Sequence, residues 1–164
     1  MCFVVEMPLT EIEIEGVQES WEKVSSGGPK TTGLILMEKL FNTYPASIAV
    51  FSHLGIPSKP DGAITVSDLA SIGGVSNHAV SLASRIGKLV GLLNNETELK
   101  ESSTEVGRIH VKYGVTSEHV DLLGSVLLSV ISENQGLSNT SELIGWWSKT
   151  WNIIGNYVKT GLKE

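Results

Sequence analysis

Cysteine and positive charge are both scarce in this sequence of 164 residues. Its 1 cysteine, Cys2, excludes an internal disulfide and any cysteine cluster for zinc or an iron–sulfur centre. Lys and Arg number 12 against 18 Asp and Glu, and the resulting charge of −6 disfavours nucleic acid and anionic lipid, since both select basic surfaces. Because so little cysteine suits a reducing compartment, we predict a cytoplasmic protein.

Long hydrophobic runs are also missing, and we therefore expect no membrane span. The start of the chain, Met1–Met7, has no basic flank of the kind that precedes a secretory signal. Cys2 could carry an acyl chain, but myristoylation would need a glycine there, and a single reversible lipid anchors weakly. An ordinary terminal cysteine is the simpler interpretation.

Enzyme signatures form a third absence. The sequence has no HExxH metalloprotease motif, no Walker phosphate loop, no GxGxxG dinucleotide turn and no GxSxG nucleophile elbow. The acidic residues fall mostly on predicted exposed faces, where solvation is their ordinary role. The residues alone therefore point to no particular catalytic chemistry.

Apolar residues recur at helical spacing in nearly every segment, with little strict alternation, which predicts an all-α fold. The predicted helix boundaries are a start after Leu9-Thr10, a stop at Pro45, a helix from about Glu98 to His110, and starts at Thr116 and Ser141. Glycine at Gly114 suits a helix C-terminus.

The middle of the chain carries two further expectations. Residues 51–62 (FSHLGIPSKPDG) predict a loop because they are rich in proline and glycine. One long helix is predicted from about Thr65 to Leu93, and its core-facing stripe comprises His78, Leu82, Ile86, Leu89 and Leu93. Each glycine in this helix weakens it by roughly 1 kcal/mol relative to alanine, a cost that close crossing by other helices would explain. These glycines are Gly73, Gly74, Gly87 and Gly91.

Two of the 4 histidines occupy unusual positions. His78 is the only strongly polar member of the long apolar stripe, and His110 ends a helix just before a glycine turn. Neutral imidazole is the commonest metal ligand in proteins, but the spacing of this pair fits no structural zinc site. From the residues alone, a hydrogen-bonded histidine is the simpler interpretation of each.

The order and spacing of several residues resemble the globin family. The first helix carries WEKV at Trp21–Val24, the second ends LFNTYP at Leu40–Pro45, and Phe51 follows at the spacing that globins share. His78 then falls at the distal histidine position and His110 at the proximal one. The HVKYGV stretch that begins at His110 is similar to that of neuroglobins.

This resemblance covers about residues 9–162, which we expect to form a single globin domain. Residues 1–8 would then be an N-terminal extension and 163–164 a short tail. The globin fold is all-α and packs about eight helices, pairwise at about 50°, around a haem pocket.

The resemblance also implies the cofactor, haem b (iron protoporphyrin IX), and the residues that hold it. His110 is the implied proximal iron ligand, oriented by the backbone carbonyl of Val106, and His78 faces the other side of the iron. Further implied pocket residues are Phe51 stacked on the porphyrin, Met37 and Leu82 on the ligand side, and Val115 and Leu123 in the proximal and inner walls.

The sequence departs from the globin pattern in three ways. Ile109 stands where many globins have a hydroxyl that supports the proximal histidine, so the imidazole is expected to be held more loosely. Ser81 replaces a basic residue that pairs with a haem propionate in some relatives. The candidates to replace that basic residue are His53, Arg108 and Lys112. Met37 cannot donate a strong hydrogen bond, so distal polarity depends on His78.

The expected function is reversible binding of O2, CO and NO, with oxygen storage or transport as the role. His78 could instead bind the iron together with His110 in a six-coordinate resting state, which the glycine-rich and proline-rich stretch between Phe51 and His78 favours. Two other classes stay open. One is a haem enzyme for NO oxidation or nitrite reduction, which would need a separate reductase partner; the other is a gas or redox sensor. Monomer and homodimer are both open.

Overall fold

The computed structural model describes residues 8–56 and 63–164. Within these ranges the chain forms seven α-helices, two 3-10 helices and no strand, which confirms the predicted all-α fold. The α-helices are α1 (Glu11–Val24), α2 (Pro29–Thr43), α3 (Val66–Ala70), α4 (Gly73–Gly91), α5 (Glu96–His110), α6 (Ser117–Gln135) and α7 (Glu142–Leu162). The first 3-10 helix is Pro45–Leu54 and the second is Val111–Tyr113. Cys2 and residues 57–62 lie outside the described ranges.

Several helix boundaries fall where the sequence predicts them. The Thr10 hydroxyl accepts a hydrogen bond from the Glu13 amide at 3.2 Å, and the Glu13 carboxylate accepts one from the Thr10 amide at 3.1 Å, which forms a capping box. Ser141 caps α7 by accepting from the amide of Ile144 at 3.3 Å. The second 3-10 helix ends at Gly114, whose φ of 74° is left-handed and suits glycine.

The middle of the chain differs from the prediction in two respects. The single helix predicted from Thr65 to Leu93 is wrong, because the chain forms α3 and α4 with a break at residues 71–72. Gly73 and Gly74 open α4 instead of weakening the interior of one long helix. The predicted loop also begins later than expected, since residues 51–54 belong to the first 3-10 helix, which Pro45 starts.

Two pairs of helices cross so closely that their backbones nearly touch. α2 crosses α4, and a Cβ added to Gly33 would lie 2.0 Å from the carbonyl oxygen of Ala79. α5 crosses α7, where a Cβ on Gly161 would lie 1.9 Å from the carbonyl oxygen of Thr104. Glycine is therefore required at both crossings, because any side chain would overlap backbone that cannot move aside.

Close crossing was expected from the glycines of α4, and only part of that expectation is correct. A Cβ on Gly87 would lie 2.9 Å from the indole nitrogen of Trp21, so the side chain of this α1 residue packs directly on α4 there. Gly73 and Gly91 have nothing within 4 Å of their Cβ positions. The closest crossings instead involve glycines of α2, α5 and α7, which helical periodicity does not distinguish from exposed ones.

The main hydrophobic core is closed by a small polar network between α1, α6 and α7. Trp147 is buried, and its indole N–H donates to the Ser20 hydroxyl at 2.9 Å. The Gln135 side-chain amide donates to the Ser20 carbonyl at 3.0 Å. These bonds satisfy polar groups that would otherwise be costly to bury. They join α1, α6 and α7 to one another.

No single helix in the described ranges is both long and apolar enough to cross a bilayer. Residues 96–113 and 117–135 satisfy the length and composition criteria only as a pair, and that pair is bent by 117°.

Candidate functional site

A cavity of about 470 Å³ lies among α2, the first 3-10 helix, α4, α5, α6 and α7. Of the residues that the sequence predicts for the cofactor site, Arg108 alone does not line this cavity. Those that do are Met37, Phe51, His53, His78, Leu82, Val106, Ile109, His110, Lys112, Val115 and Leu123. Residues from five segments of the chain therefore meet at one place, which is of the size typical of small-molecule sites.

His110 is the last residue of α5 and is fixed by its own helix. Its Nδ1 lies 2.6 Å from the carbonyl oxygen of Val106, one turn earlier. A carbonyl can only accept, so Nδ1 must carry the proton in the neutral ring, and Nε2 keeps its lone pair. The side chain is half-buried and lines the cavity. His110 is thus oriented as histidines that bind metals usually are.

His78 lies on α4 and also lines the cavity. Its ring packs edge-on against Phe51, with ring centroids 5.2 Å apart, and Phe51 packs in the same way against Phe41. Within residues 8–56 and 63–164, no protein group hydrogen-bonds to the His78 ring. Burial lowers the pKa of this imidazole below its ordinary value, and the charges of His110 and His53 lower the pKa further. His78 therefore favours the neutral form, which can bind a metal or donate a hydrogen bond.

The charged side chains around the cavity are of one sign. Arg85 and Lys112 line it, whereas no aspartate or glutamate of the described ranges does. All 4 histidines of the sequence also line it. Since the chain as a whole carries a charge of −6, this distribution makes the cavity favourable for a ligand with negative groups at its edge.

At the mouth of the cavity Tyr113, which the sequence did not single out, packs with two residues that it did, His53 and Lys112. Tyr113, in the second 3-10 helix, stacks on His53 of the first 3-10 helix, with ring centroids 4.7 Å apart and planes 20° from parallel. The Lys112 ammonium lies 5.1 Å from the centroid of the Tyr113 ring. Tyr113 is 42% exposed, so it stands at the border between the cavity and solvent.

One candidate for a basic residue at the cavity is wrong, and two lining residues were missed. Arg108 pairs with Glu105 and Glu164 on the surface and does not line the cavity. Arg85 and His119 do line it. His119 also caps α6, because its Nδ1 accepts from the Thr116 amide at 3.0 Å. The sequence contains a signal for each of the two missed residues. Arg85 is a basic residue one helical turn after Ser81, and His119 is a histidine at a predicted helix start.

The donor atoms of the site fit haem and do not fit a metal held by protein alone. The described ranges contain no group of three or more His, Cys, Asp or Glu side chains that could hold an ion. The cavity offers instead the imidazoles of His78 and His110 on a mostly apolar wall, with two further histidines and two cationic side chains also lining it. A planar cofactor that supplies its own equatorial ligands needs only axial nitrogens and an apolar slot. The residues present meet that need.

Comparisons with known proteins agree with the all-α fold. The family model described as Globin matches residues 35–158. Cytoglobin-2 of Danio rerio is 24% identical over 160 residues, covering 94% of this chain and 86% of that protein. Anaerobic nitrite reductase AHB2 of Arabidopsis thaliana is 25% identical over 162 residues, covering 97% of each chain.

A solved structure with a similar fold is that of a hexacoordinated haem protein from an anhydrobiotic tardigrade. It superposes with a TM-score of 0.79 over 96% of this chain and 97% of the tardigrade chain, at 18% identity. At that identity the likeness concerns the fold.

Proposed function

The chain belongs to the globin family, and we propose that it binds haem b and, through it, O2, CO and NO reversibly. The observation that carries this proposal is the pair of imidazoles on one apolar cavity, of which His110 has its tautomer fixed by the Val106 carbonyl. The wall between them is apolar enough to exclude water from a cofactor. Oxygen storage or transport is the proposed role, and cytoplasm the proposed location.

His110 would hold the haem through Nε2. Phe51, Val115 and Leu123 would pack against the porphyrin faces and edge. The single cysteine of the sequence provides no Cys-x-x-Cys attachment motif, so the cofactor is proposed to be the non-covalent b type. Haem supplies the iron to which diatomic gases bind, and the chain supplies the ligand nitrogen, the dry wall and the hydrogen-bond donors.

We propose that His78 would hold the haem iron together with His110 in the gas-free protein. The absence of another hydrogen-bond partner leaves its ring free for this role within the described ranges. Its lowered pKa keeps a nitrogen lone pair available. The tardigrade haem protein of similar fold is described as hexacoordinated.

An incoming gas would then compete with His78, and its apparent affinity would fall by the fraction of protein with an open site. Once displaced, His78 is the distal donor available to a polar ligand, since Met37 has no N–H or O–H group. A hydrogen bond of this kind contributes about 1.5–3 kcal/mol, or roughly ten- to a hundredfold in affinity. Replacing His78 should remove the competing ligand for both gases but the hydrogen bond for O2 alone, so the ratio of O2 affinity to CO affinity should fall.

Absorption spectra of hemin-loaded protein test both assignments. We expect sharp, split bands in the reduced, gas-free protein, and a broad five-coordinate band in His78→Leu. His110→Ala should lose most of its pigment on gel filtration. His119→Gln is the matched control, because it changes another cavity histidine yet can still cap α6, and its spectrum should match the wild type. Failure of the apoprotein to take up hemin would refute the proposed function.

The proposed globin domain is residues 9–162, flanked by residues 1–8 and 163–164. The family model and all helices of the described ranges fall within it. Limited proteolysis of the hemin-loaded protein should leave this segment intact.

Reduction of an anion such as nitrite is the second candidate function. It is favoured by the cavity lining, which has two basic side chains, Arg85 and Lys112, and no carboxylate in the described ranges. A relative over nearly the full chain is an anaerobic nitrite reductase. The reaction consumes an electron and protons, so a separate reductase would have to act on this chain. Anaerobic release of NO from nitrite and dithionite, reduced in Arg85→Gln, would support it.

A further inference from the structure

Tyr113 joins two segments that are far apart in the sequence. It belongs to the turn that follows α5, and it stacks on His53 from the segment that follows α2, with centroids 4.7 Å apart. The turn is held in place by the hydrogen bond from the Gly114 amide to the Val111 carbonyl at 3.1 Å. The left-handed conformation of Gly114 ends it there. The stack therefore closes one edge of the cavity mouth.

Tyr113 also contacts the residue that is proposed to bind iron. Its ring lies edge-on to the His110 ring, with centroids 6.4 Å apart and planes 64° apart. The His110 ring has one hydrogen bond, to the Val106 carbonyl. Ile109, which precedes His110, carries no hydroxyl that could add a second. A single hydrogen bond allows the ring to rock about that bond, and the tyrosine edge limits this rocking on one side.

We propose that Tyr113 is a positioning residue that limits rotation of the His110 ring and, through its stack on His53, slows the loss of haem. This inference depends on the proposed function, because it assumes that His110 binds the cofactor. It explains how the proximal histidine is held in a chain that lacks the usual neighbouring hydroxyl. Lys112, whose ammonium lies over the tyrosine ring at 5.1 Å, adds a weaker contact to the same group.

The expected change in the rate of haem loss is modest, because the stack of Tyr113 on His53 is partly exposed. Tyr113 is 42% exposed, so removing its ring should not unfold the domain. Aromatic pairs are modest contacts, and the loss of one corresponds to a roughly two- to tenfold change in a rate or affinity. We expect haem loss to be accelerated by that factor.

The experiment compares hemin transfer from the loaded protein to an excess of apomyoglobin in five variants. Tyr113→Ala and His53→Ala should each lose hemin faster, the double variant should lose it no faster than the faster single variant, and Tyr113→Phe should restore the wild-type rate. Val111→Ala is the matched control, since Val111 is an exposed apolar residue of the same 3-10 helix that does not line the cavity.

Two spectroscopic measurements report on the contacts themselves. In the apoprotein, the His53 ring protons should move downfield in Tyr113→Ala, because the tyrosine ring current is lost. In the loaded ferric protein, the hyperfine-shifted His110 Nδ1–H resonance should exchange faster with D2O in Tyr113→Ala and at the wild-type rate in Tyr113→Phe. Because loss of a cover would also speed exchange, the positioning role is tested by the hyperfine shift of the same resonance, which should change in Tyr113→Ala and not in Tyr113→Phe; an unchanged shift in Tyr113→Ala would contradict it.

Failure of this inference is distinguishable from failure of the proposed function. If the wild type takes up hemin but Tyr113→Ala releases it at the wild-type rate, or the two single effects add in the double variant, the inference is wrong while the haem site stands. If no variant takes up hemin, the proposed function is wrong, and the inference falls with it.

Discussion

The helix crossings and the cavity show opposite kinds of packing on the same two helices. On α4, the backbone of Ala79 touches α2 at Gly33, while the preceding residue, His78, faces the cavity. On α5, Gly107 lies against the backbone of α7, while His110 faces the cavity one turn later. The crossings leave no room for a methyl group. The cavity is therefore a gap between helices that are fixed firmly elsewhere, and each crossing sets the position of one histidine.

The largest effect is expected from breaking the α5–α7 crossing. Gly161→Ala places a Cβ 1.9 Å from the Thr104 carbonyl oxygen, and we expect a loss of about 3 kcal/mol or more in the free energy of unfolding, since backbone must move. Urea unfolding of the apoprotein measures this loss. Gly145→Ala, in the same helix but with nothing within 4 Å, should instead stabilise by up to about 1 kcal/mol. Equal effects in both variants would contradict the close crossing.

The second-largest loss of stability is expected at Ser20, a buried serine in the polar network between α1, α6 and α7. Ser20→Ala removes the hydroxyl that accepts from the Trp147 indole at 2.9 Å and leaves a buried donor without a partner. We expect a loss of about 1–3 kcal/mol, measured by urea unfolding, together with a shift in tryptophan fluorescence. Ser148→Ala, an exposed serine of α7, is the control and should change neither quantity.

A second buried serine should respond with the opposite sign. Ser103 of α5 is fully buried, and its hydroxyl has no hydrogen-bond partner within the described ranges. Ser103→Ala removes an unsatisfied polar group, so we expect a gain of about 1 kcal/mol in the free energy of unfolding. Thermal unfolding of the apoprotein provides the measurement. A loss of stability would mean that the Ser103 hydroxyl has a partner, such as a buried water.

A larger side chain should be tolerated on the cavity side. Leu123 is half-buried and lines the cavity, so Leu123→Phe has room to fill and should change apoprotein stability by less than about 1 kcal/mol. The same ring would occupy space proposed for the porphyrin, and hemin uptake should fall. If Leu123→Phe destabilises as strongly as Gly161→Ala, the two regions do not differ in the way described.

The smallest effect is expected in the pH dependence of the free energy of unfolding, through Glu13 of α1. The hydrogen bond from Lys149 at 2.8 Å and the Thr10 backbone lower the pKa of Glu13 below 4.5. The unfolded chain therefore binds this proton more readily than the folded one. The stabilisation by Glu13 is complete above pH 4.5 and is lost as the pH falls through the lowered pKa.

Glu13→Gln should therefore be slightly less stable than the wild type above pH 4.5, and the two unfolding curves should converge in stronger acid. Urea unfolding of the apoprotein across this range measures the difference. Glu15→Gln, an exposed change on the same helix, should show no such convergence. A difference that persists unchanged in acid would mean that the ion pair with Lys149 contributes nothing.

Much of the candidate site was predictable because the globin resemblance assigns residues to positions in a known fold. All of the predicted site residues except Arg108 line one cavity. Arg108 was misplaced as a candidate because its partner Glu164 lies on another helix end, far along the chain. Tyr113 was not predicted because its neighbour His53 reaches it only after two separate turns have formed. Contacts between distant segments leave no periodic pattern in the sequence.

The sequence by itself determined the helices and most of their ends, because capping residues, glycines and prolines act on the few residues beside them. It also placed a histidine on α4 and another at the end of α5. Only the tertiary structure decided which glycines meet backbone, where the long segment breaks, and that all 4 histidines line one cavity. Those outcomes depend on how helix surfaces fit against each other in three dimensions, and that fit is a property of pairs of distant segments.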